Sequence, residues 1–502
     1  MKKYMGNKSK ILGTIYSEAE KLCPEAQTVF DTFSGTTNVG QYFKSKGFSV
    51  ISNDVNETSF LLGEVYLKIN SLPSFELLFS SSCKVIKNIA GLEGSGELSD
   101  LINKLITLNH NTNDATYLES IRDSNAMKLL AYLSFGATSS DCDDKSYTYQ
   151  LKACDFIWRN YCLKGAKSEY FNLVTQKSIV SQIEALQKTN LKKSTISNVK
   201  KKLESVFNHP YNLAALDSAI AELKNEDCAD NRTLTIISKL EALKKRKNHV
   251  GRRMFFSEDH GHRIDVVNNL NLLWLRSGLI DRTEYEYLQC ALVEAVALFS
   301  NTSATYQAFY KTYRENTKQE FRLVVPEIIP SIEEHKVYCS DTFELIDKIE
   351  DQYELLYLDP PYNWRIYDSN YHLLNLIAGY DRVADSILEF EEGIAGAAGE
   401  NRNLTRDYTN YNRRETFEDL LFRLILKAKC NYIIISYSDS LSNHNKNSLS
   451  SVERIEAFLK DPTYFDPTKY KKVEVNSIKF EIRNSERKDR IPALLFMAKK
   501  KE

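Results

Sequence analysis

A short apolar run followed at once by an acid and two prolines limits most strongly how this chain can fold. Leu355–Leu358 is uniformly apolar, which is typical of a strand buried on both faces of a parallel sheet. Asp359, Pro360, Pro361 and Tyr362 follow it directly. Because ligands bind at the carboxyl ends of the strands in open α/β sheets, the sequence predicts a binding site where this strand ends.

The chemistry of these four residues favours a flat ligand that carries an amine. An acid accepts hydrogen bonds from an amino group, an aromatic ring stacks on a planar base, and two prolines leave their carbonyls free to face the ligand. This set suits an exocyclic amino group of a nucleobase that receives a transferred group. The alternative is an ordinary turn, because Asp-Pro and Pro-Pro are both strong turn dipeptides.

A βαβ unit near the N-terminus predicts a second site. The strand Thr28–Phe30 ends at Asp31, and a small polar loop containing Gly35 leads into a helix from Val39 to Lys46. A glycine in such a loop lets the backbone approach a ligand, and the helix N-terminus offers free N–H groups. The next strand, 48–52, is followed by Asp54, and an acid at that place often binds ribose hydroxyls. The pattern predicts an adenosine-containing cofactor across the first two strands.

A third acid, Asp341, follows the strand-like run 336–339. One interpretation is that it reaches the cofactor's adenine or the target base. The other is that it is the N-cap of the helix that begins near Phe343.

Composition excludes several classes of protein. The 502 residues suggest two or three domains, and no apolar run is long enough to cross a membrane. The net charge of −1 argues against a protein that coats DNA through bulk charge. The lysine-dense stretches 192–202 and 244–253 are interpreted first as solvated helix faces. Nine cysteines without a CxxC pair or zinc spacing indicate reduced thiols, no metal site and a cytoplasmic location, and no signal peptide is expected.

The pattern of elements changes along the chain. Long helical periods dominate residues 75–250, which indicates a helical insertion, and strand-like runs return at 336–339, 355–358, 432–437 and 493–497. The stretch 389–411 predicts a long loop, and its arginine-rich part, 401–414, is expected either to close over a substrate or to be an ordinary solvated loop.

Three stretches together resemble Dam-like DNA adenine methyltransferases. Lys3–Leu12 is similar to their N-terminal segment, in which an aromatic residue, a glycine and a lysine precede the first helix. Asp31–Gly35 resembles their S-adenosylmethionine loop, and Asp359–Tyr362 matches their catalytic tetrapeptide residue for residue. The cofactor loop precedes the catalytic motif, as in the alpha order of amino-methyltransferases. The resemblance covers about residues 1–70 and 250–500.

The resemblance implies an α/β fold with a doubly wound, mostly parallel, seven-stranded Rossmann-like sheet and a large helical insertion. Residues 1–75 and 325–502 are expected to form the catalytic domain, and residues 76–324 the helical insertion that contains the target-recognition region. The fold would hold S-adenosylmethionine and double-stranded DNA, and whether a cognate restriction endonuclease accompanies it is left open.

The residues that the resemblance implies fall into three groups. The catalytic residues are Asp359, Pro360, Pro361 and Tyr362. The cofactor-binding residues are Tyr4, Gly6, Lys8, Asp31, Phe33, Ser34, Gly35, Thr36, Asn38, Asp54, Asp341 and Asp359. The DNA-binding residues are Arg252, Arg253, Asn301, Tyr306 and Lys311.

The implied activity is transfer of a methyl group to the N6 amine of a flipped adenine, in restriction-modification or in phage or host DNA protection. Two alternatives stay open: an amino-methyltransferase acting on cytosine N4 or on RNA, and a non-catalytic nucleic-acid-binding subunit with the same fold. The second alternative rests on Thr37, which stands where the family loop has a second glycine. A side chain there is expected to crowd the methionine part of the cofactor or to shift the loop.

Overall fold

The computed structural model describes residues 8–162, 169–208, 213–226, 230–249, 253–303, 305–360, 367–395, 398–401, 414–438, 452–475 and 493–501. The strands in these residues are β1 (Thr28–Asp31), β2 (Ser49–Asn53), β3 (Lys336–Tyr338), β4 (Leu355–Leu358), β5 (Ile394–Ala395), β6 (Glu400–Asn401), β7 (Tyr432–Ser438), β8 (Lys471–Val475) and β9 (Ala493–Lys499).

Seven of these strands form one sheet in the order β3-β2-β1-β4-β7-β9-β8. The pairs from β3 to β7 are parallel, whereas β9 runs antiparallel to both β7 and β8. This confirms the predicted mostly parallel seven-stranded sheet. The strand β8 was not predicted, because an exposed edge strand with two lysines and a glutamate has no apolar run to reveal it.

Helices cover both faces of the sheet, and the side chains of β4 show why. Leu355 and Tyr357 pack with the helix residues Ile15 and Phe43 on one face. Leu356 and Leu358 alternate with them and pack on the opposite face with residues of the helix 414–427. A strand buried on both sides must be apolar throughout, so the run seen in the sequence follows directly from the layered fold.

The helices that flank the sheet or follow its strands are α1 (Leu12–Leu22), α2 (Asn38–Ser45), α3 (Glu57–Gly63), α17 (Thr342–Leu345), α18 (Tyr367–Ala378), α19 (Tyr380–Val383), α20 (Ile387–Gly393), α21 (Arg414–Lys427) and α22 (Val452–Leu459). The helices between β2 and β3 are α4 (Glu76–Phe79), α5 (Lys84–Ser95), α6 (Glu97–Asn109), α7 (Ala115–Ser120), α8 (Asn125–Ala131), α9 (Phe156–Tyr161), α10 (Glu169–Leu186), α11 (Lys193–Asn208), α12 (Leu213–Lys224), α13 (Asn231–His249), α14 (Glu258–Arg276), α15 (Arg282–Phe299) and α16 (Glu315–Lys318).

Short helical segments of other types join these elements. Glu64–Lys68 and Tyr132–Gly136 are π-helical turns, and Ser139–Asp143, Ala384–Ser386 and Pro467–Lys469 are 3₁₀ turns. None of the helices in the described ranges has the length and apolar character needed to cross a bilayer.

The helical insertion packs as two groups. One hydrophobic core contains residues of α3, α5, α6, α14, α15 and α18, and so includes residues on both sides of the predicted domain boundaries at 75/76 and 324/325. The helices α10–α13 instead have a core of their own, which includes Ile179, Leu203, Leu223 and Leu240. They form a separate four-helix unit, called the α10–α13 bundle below.

The predicted loop 389–411 is corrected in its first part. The helix α20 continues to Gly393, and β5 and β6 then form an antiparallel hairpin. Residues 402–411 lie outside the described residues.

Candidate active site

The cofactor loop turns sharply between β1 and α2. The amide of Ser34 donates to the carbonyl of Asn53 over 3.0 Å, and the amide of Gly35 donates to a carboxylate oxygen of Asp54 over 2.9 Å. Gly35 has a φ of 51°, in the left-handed region that glycine enters at little cost. The loop that follows β1 is therefore tied to the end of β2, as the predicted βαβ unit requires.

Asp31 is the most deeply buried acid of this loop. Its side chain is 1% exposed, and within the described part of the chain its Oδ1 atom has no hydrogen-bond partner. Burial raises the pKa of Asp31 well above its usual range, and the neighbouring carboxylates of Asp359 and Asp54 raise it further. A buried acceptor without a donor is rare in folded proteins, and it suits a site that a ligand's donor completes.

The sheet register brings Asp359 next to Asp31. Asp31 pairs with Tyr357 in the parallel ladder of β1 and β4, and Asp359 follows two residues later. The ammonium of Lys8 lies 2.9 Å from Oδ1 of Asp359, and both side chains are largely buried, at 12% and 17% exposure. Burial raises the pKa of Asp359, and Lys8 partly offsets that rise. Two acids from strands distant in sequence thus share one edge of the sheet.

The other two acids of the predicted cofactor site, Asp54 and Asp341, accept hydrogen bonds from residues close in sequence or at the neighbouring loop. Asp54 accepts hydrogen bonds from Gly35 and, through its other oxygen, from the amide and side chain of Asn56. Asp341 accepts from the amide of Phe343 over 2.8 Å, which makes it the N-cap of α17, as the second interpretation predicted.

Thr37 adopts a left-handed backbone conformation, which favours glycine. It has a φ of 57° and is fully buried, and its hydroxyl accepts a hydrogen bond of 2.9 Å from Gln41 and donates to the carbonyl of Thr36. The loop therefore passes through the left-handed region at Thr37, and the Thr37 side chain is bonded to α2 and to its own loop.

The other residues predicted for the cofactor are distributed around this loop. Phe33 is half-buried, with its ring 6.3 Å from that of Phe343, and Ser34 and Thr36 are buried. Asn38 lines a cavity of about 330 Å³, and Asp31, Asp54 and Asp359 do not line that cavity. The residues Tyr4, Gly6, Pro361, Tyr362 and Arg252 lie outside the described residues.

Three of the predicted DNA contacts are interior residues. The guanidinium of Arg253, 2% exposed, donates to the carbonyl of Asn160, and Gly399 approaches it so closely that a Cβ there would lie 2.7 Å from its Nε. Asn301 is 0% exposed and donates to two backbone carbonyls. Tyr306 is 2% exposed and donates to Ser300. The burial of these three side chains disfavours their contact with DNA, whereas Lys311 is exposed.

Sequence reasoning missed a residue that joins three strand ends. Asn53 donates from Nδ2 to the hydroxyl of Thr342 over 2.9 Å and to the carbonyl of Ser340, whose amide donates back to Asn53. Thr342 in turn donates to the carbonyl of Thr32. The available signal was an amide side chain at the carboxyl end of a buried strand, where a polar group needs a partner.

Comparison with known proteins supports the family assignment. The profile of the family described as D12 class N6 adenine-specific DNA methyltransferase matches residues 4–225 and 218–389. The type II methyltransferase M.FokI of Planomicrobium okeanokoites is 34% identical over 208 residues, which are 41% of this chain and 29% of that protein. The type II methyltransferase M.NlaIII of Neisseria lactamica is 32% identical over 189 residues, 37% of this chain and 52% of that protein.

A third relative is the modification methylase LlaI of Lactococcus lactis subsp. lactis, 30% identical over 194 residues, 37% of this chain and 28% of that protein. The aligned parts of the chain therefore span about half or less of the length of these curated relatives. No solved structure matches the chain. The family profile covers well over half of the sequence, and the mostly parallel seven-stranded sheet is consistent with an α/β methyltransferase fold, so this chain belongs to the D12 class of N6 adenine-specific DNA methyltransferases.

Proposed function

We propose that the protein transfers a methyl group from S-adenosylmethionine to the N6 amine of an adenine flipped out of duplex DNA, at a specific site. The observation that carries this proposal is the placement of Asp31 and Asp359 side by side at the ends of β1 and β4. In this proposal Asp31 binds the cofactor and Asp359 binds the target amine. Holding the two reactants side by side makes the transfer effectively unimolecular, which lowers its barrier.

The residues at the edge fit S-adenosylmethionine, whose amino group needs an acceptor and whose ribose needs hydroxyl partners. The unpartnered oxygen of Asp31 is such an acceptor, and we assign Asp54, half-buried just after β2, to the ribose. Gly35 offers a close backbone approach between them. When bound, the cofactor supplies an activated methyl group on a sulfonium.

Asp359 has the central chemical role in this proposal. The lone pair of adenine's N6 is conjugated with the ring, which makes the amine a poor nucleophile. The carboxylate of Asp359 and the carbonyl of Pro360 would accept hydrogen bonds from the amine and localise its lone pair. Positive charge develops on the nitrogen during transfer, and a fixed carboxylate stabilises that charge. Tyr362 is assigned to stacking on the flipped base, whose extrusion costs a few kcal/mol.

The α10–α13 bundle has a net positive charge. Residues 169–249 contain 14 Lys and Arg and 9 Asp and Glu, a net charge of +5, so the remaining residues carry −6 and the whole chain −1. The guanidinium of Arg232 donates to the carbonyl of Lys188, which brings the start of α13 beside the turn between α10 and α11. Lys192 and Lys193 lie on the same turn, and all four side chains are exposed.

The acids at this end of the bundle are engaged in local hydrogen bonds. Asp230 accepts from the amide and the hydroxyl of Thr233, and Glu226 accepts from the hydroxyl of Thr195. We therefore assign this end of the bundle, rather than the buried Arg253, to DNA phosphates, whose binding is dominated by lysine and arginine. We also propose a cytoplasmic location, because the eight cysteines among the described residues are free thiols, as in a reducing compartment.

The test is Asp359→Ala. We expect methyl transfer to duplex DNA to fall by about 10³-fold or more, as when a preorganised group that stabilises transition-state charge is removed. Calorimetry should show that S-adenosylmethionine binding is largely kept. Asp100→Ala, at an exposed position of α6, is the matched control and should keep wild-type activity. Mass spectrometry of nucleosides from methylated DNA and RNA identifies the product, and N4-methylcytosine or modified RNA in place of N6-methyladenine would overturn the proposal.

A further inference from the structure

The ion pair between Lys8 and Asp359 joins two residues that are far apart in sequence and that both lie at the proposed site. Their nitrogen and oxygen are 2.9 Å apart, and the two side chains are largely buried. At such exposure an ion pair is weakly screened, and it acts strongly on the protonation of its members.

The backbone of Lys8 is hydrogen-bonded to the turn that leads into α1. Its carbonyl accepts a hydrogen bond of 2.8 Å from the amide of Ile11, and Ile11 and Ile15 are buried in the core beneath the sheet. The ammonium of Lys8 therefore reaches Asp359 from a segment that is bonded to the turn before α1. Such anchoring reduces the entropic cost of holding a long side chain in one position.

The surroundings of Asp359 otherwise disfavour its charged form. Among the described residues, the ionisable groups around it are Lys8, Asp31, Tyr357 and, beyond Asp31, Asp54. Tyr357 is buried, and its pKa is raised well above its usual range, so it stays neutral. Lys8 supplies the positive charge opposite two acids that repel one another.

We propose that Lys8 is a positioning residue for methyl transfer: its ammonium keeps Asp359 as a carboxylate, aimed into the site, until the target amine arrives. The inference rests on the proposed function, because a carboxylate accepts the amine's hydrogen bonds and a neutral carboxyl group does so less well. The role differs from that of a residue that only binds cofactor, since it predicts a change in pH dependence as well as in affinity.

The first test compares the pH dependence of single-turnover methylation for Lys8→Met, Lys8→Arg and the wild type. In Lys8→Met the acidic limb of the pH–rate profile should move to a pH about one unit higher or more. The methylation rate should therefore be about tenfold lower at the acidic end and should recover as the pH rises. Lys8→Arg keeps the charge and should keep the limb. Lys10→Met makes the same change at an exposed position two residues away and should leave the limb unchanged.

The second test needs neither cofactor nor DNA. Melting temperatures of wild type, Lys8→Met, Asp359→Asn and the double variant are measured from about pH 4 to pH 8. An acid whose pKa is raised by folding binds its proton more tightly in the folded state, so its contribution to stability is lost as pH rises through the folded pKa. Removing Lys8 raises that pKa further. The deficit of Lys8→Met should therefore grow as pH rises, and this growth should vanish in the Asp359→Asn background.

The outcomes separate this inference from the proposed function. A Lys8→Met protein that is slower by one factor at every pH, or whose stability deficit has the same pH dependence with Asn at 359, overturns the role of Lys8. A wild-type protein that methylates neither DNA nor RNA while the coupling between Lys8 and Asp359 is measured overturns the proposed function and leaves the ion-pair effect standing.

Discussion

Replacing Arg159 by Met should be among the most destabilising single changes in the chain. The guanidinium of Arg159 is 0% exposed and donates from Nε and Nη2 to the two carboxylate oxygens of Glu391, over 2.8 and 3.0 Å. Asn160 adds a third hydrogen bond to Glu391, and Asp155 also pairs with the guanidinium. This network joins α9 of the insertion to α20, the helix that leads into the β5–β6 hairpin.

The magnitude follows from which charge is left behind. Methionine fills much of the volume of the arginine stem, so packing changes little, but the carboxylate of Glu391, 3% exposed, loses its guanidinium. Breaking a buried pair in this way costs roughly 3–5 kcal/mol. In a domain of ordinary size each kcal/mol lowers the melting temperature by about 2–4 °C, so Arg159→Met should melt at least about 6 °C below the wild type.

A double variant separates loss of charge pairing from loss of packing. Glu391→Gln keeps the shape and removes the charge, so Arg159→Met with Glu391→Gln should recover much of the deficit. Arg122→Met is the control, because its ion pair with Glu119 is solvent-exposed, and it should shift the melting temperature by no more than about 2 °C. Differential scanning calorimetry is the measurement. The reasoning is refuted if Arg159→Met melts like the control, or if the double variant is no more stable than Arg159→Met alone.

Two further results are expected. Reversing the charges of Lys188, Lys192 and Lys193 should weaken duplex binding. The slope of log affinity against log salt should fall by roughly 0.9 for each DNA phosphate that is no longer neutralised. An unchanged slope, or an equal fall on reversing three exposed lysines outside the bundle, would show that the bundle does not bind DNA. Thr37→Gly should leave the affinity for S-adenosylmethionine within about threefold and the free energy of unfolding within about 1 kcal/mol of the wild type. The change releases roughly 1–2 kcal/mol of left-handed strain, but glycine's greater entropy in the unfolded chain and loss of the hydrogen bond from Gln41 offset this gain. Tenfold tighter binding by calorimetry would show that the threonine crowds the cofactor.

The sequence was sufficient for elements whose burial leaves a one-dimensional pattern. The run Leu355–Leu358 and the runs at 432–437 and 493–497 became β4, β7 and β9, because strands covered on both faces must be apolar along their length. Apolar residues of α14 and α15 are likewise buried, Leu273 and Leu292 among them. Both helices are buried on nearly all sides, so their apolar residues do not form a single face.

Contacts between distant residues were predictable only where topology fixes them. Asp31 and Asp359 were expected at one edge because each follows a strand, and strand order places β1 beside β4. The pairing of Lys8 with Asp359 has no such rule behind it. The burial of Asn301 and Arg253 could not be predicted from the sequence either. A sequence does not distinguish a buried polar side chain from an exposed one unless its hydrogen-bond partner is known, and here the partners are the backbone carbonyls of Met254 and Asn160.

The place of the insertion explains how the chain carries so many helices without separating Asp31 from Asp359. The insertion leaves the sheet after β2 and returns at β3, which is the edge strand, so it never passes between β1 and β4. The separation of Asp31 and Asp359 is set by the direct ladder of those two strands. At the edge pair β2–β3, where the insertion leaves and rejoins the sheet, Asn53 bonds to both Ser340 and Thr342. The positions of Asp31 and Asp359 are thus fixed by the central strands of the sheet, while the helices that could contact a large substrate are inserted at its edge.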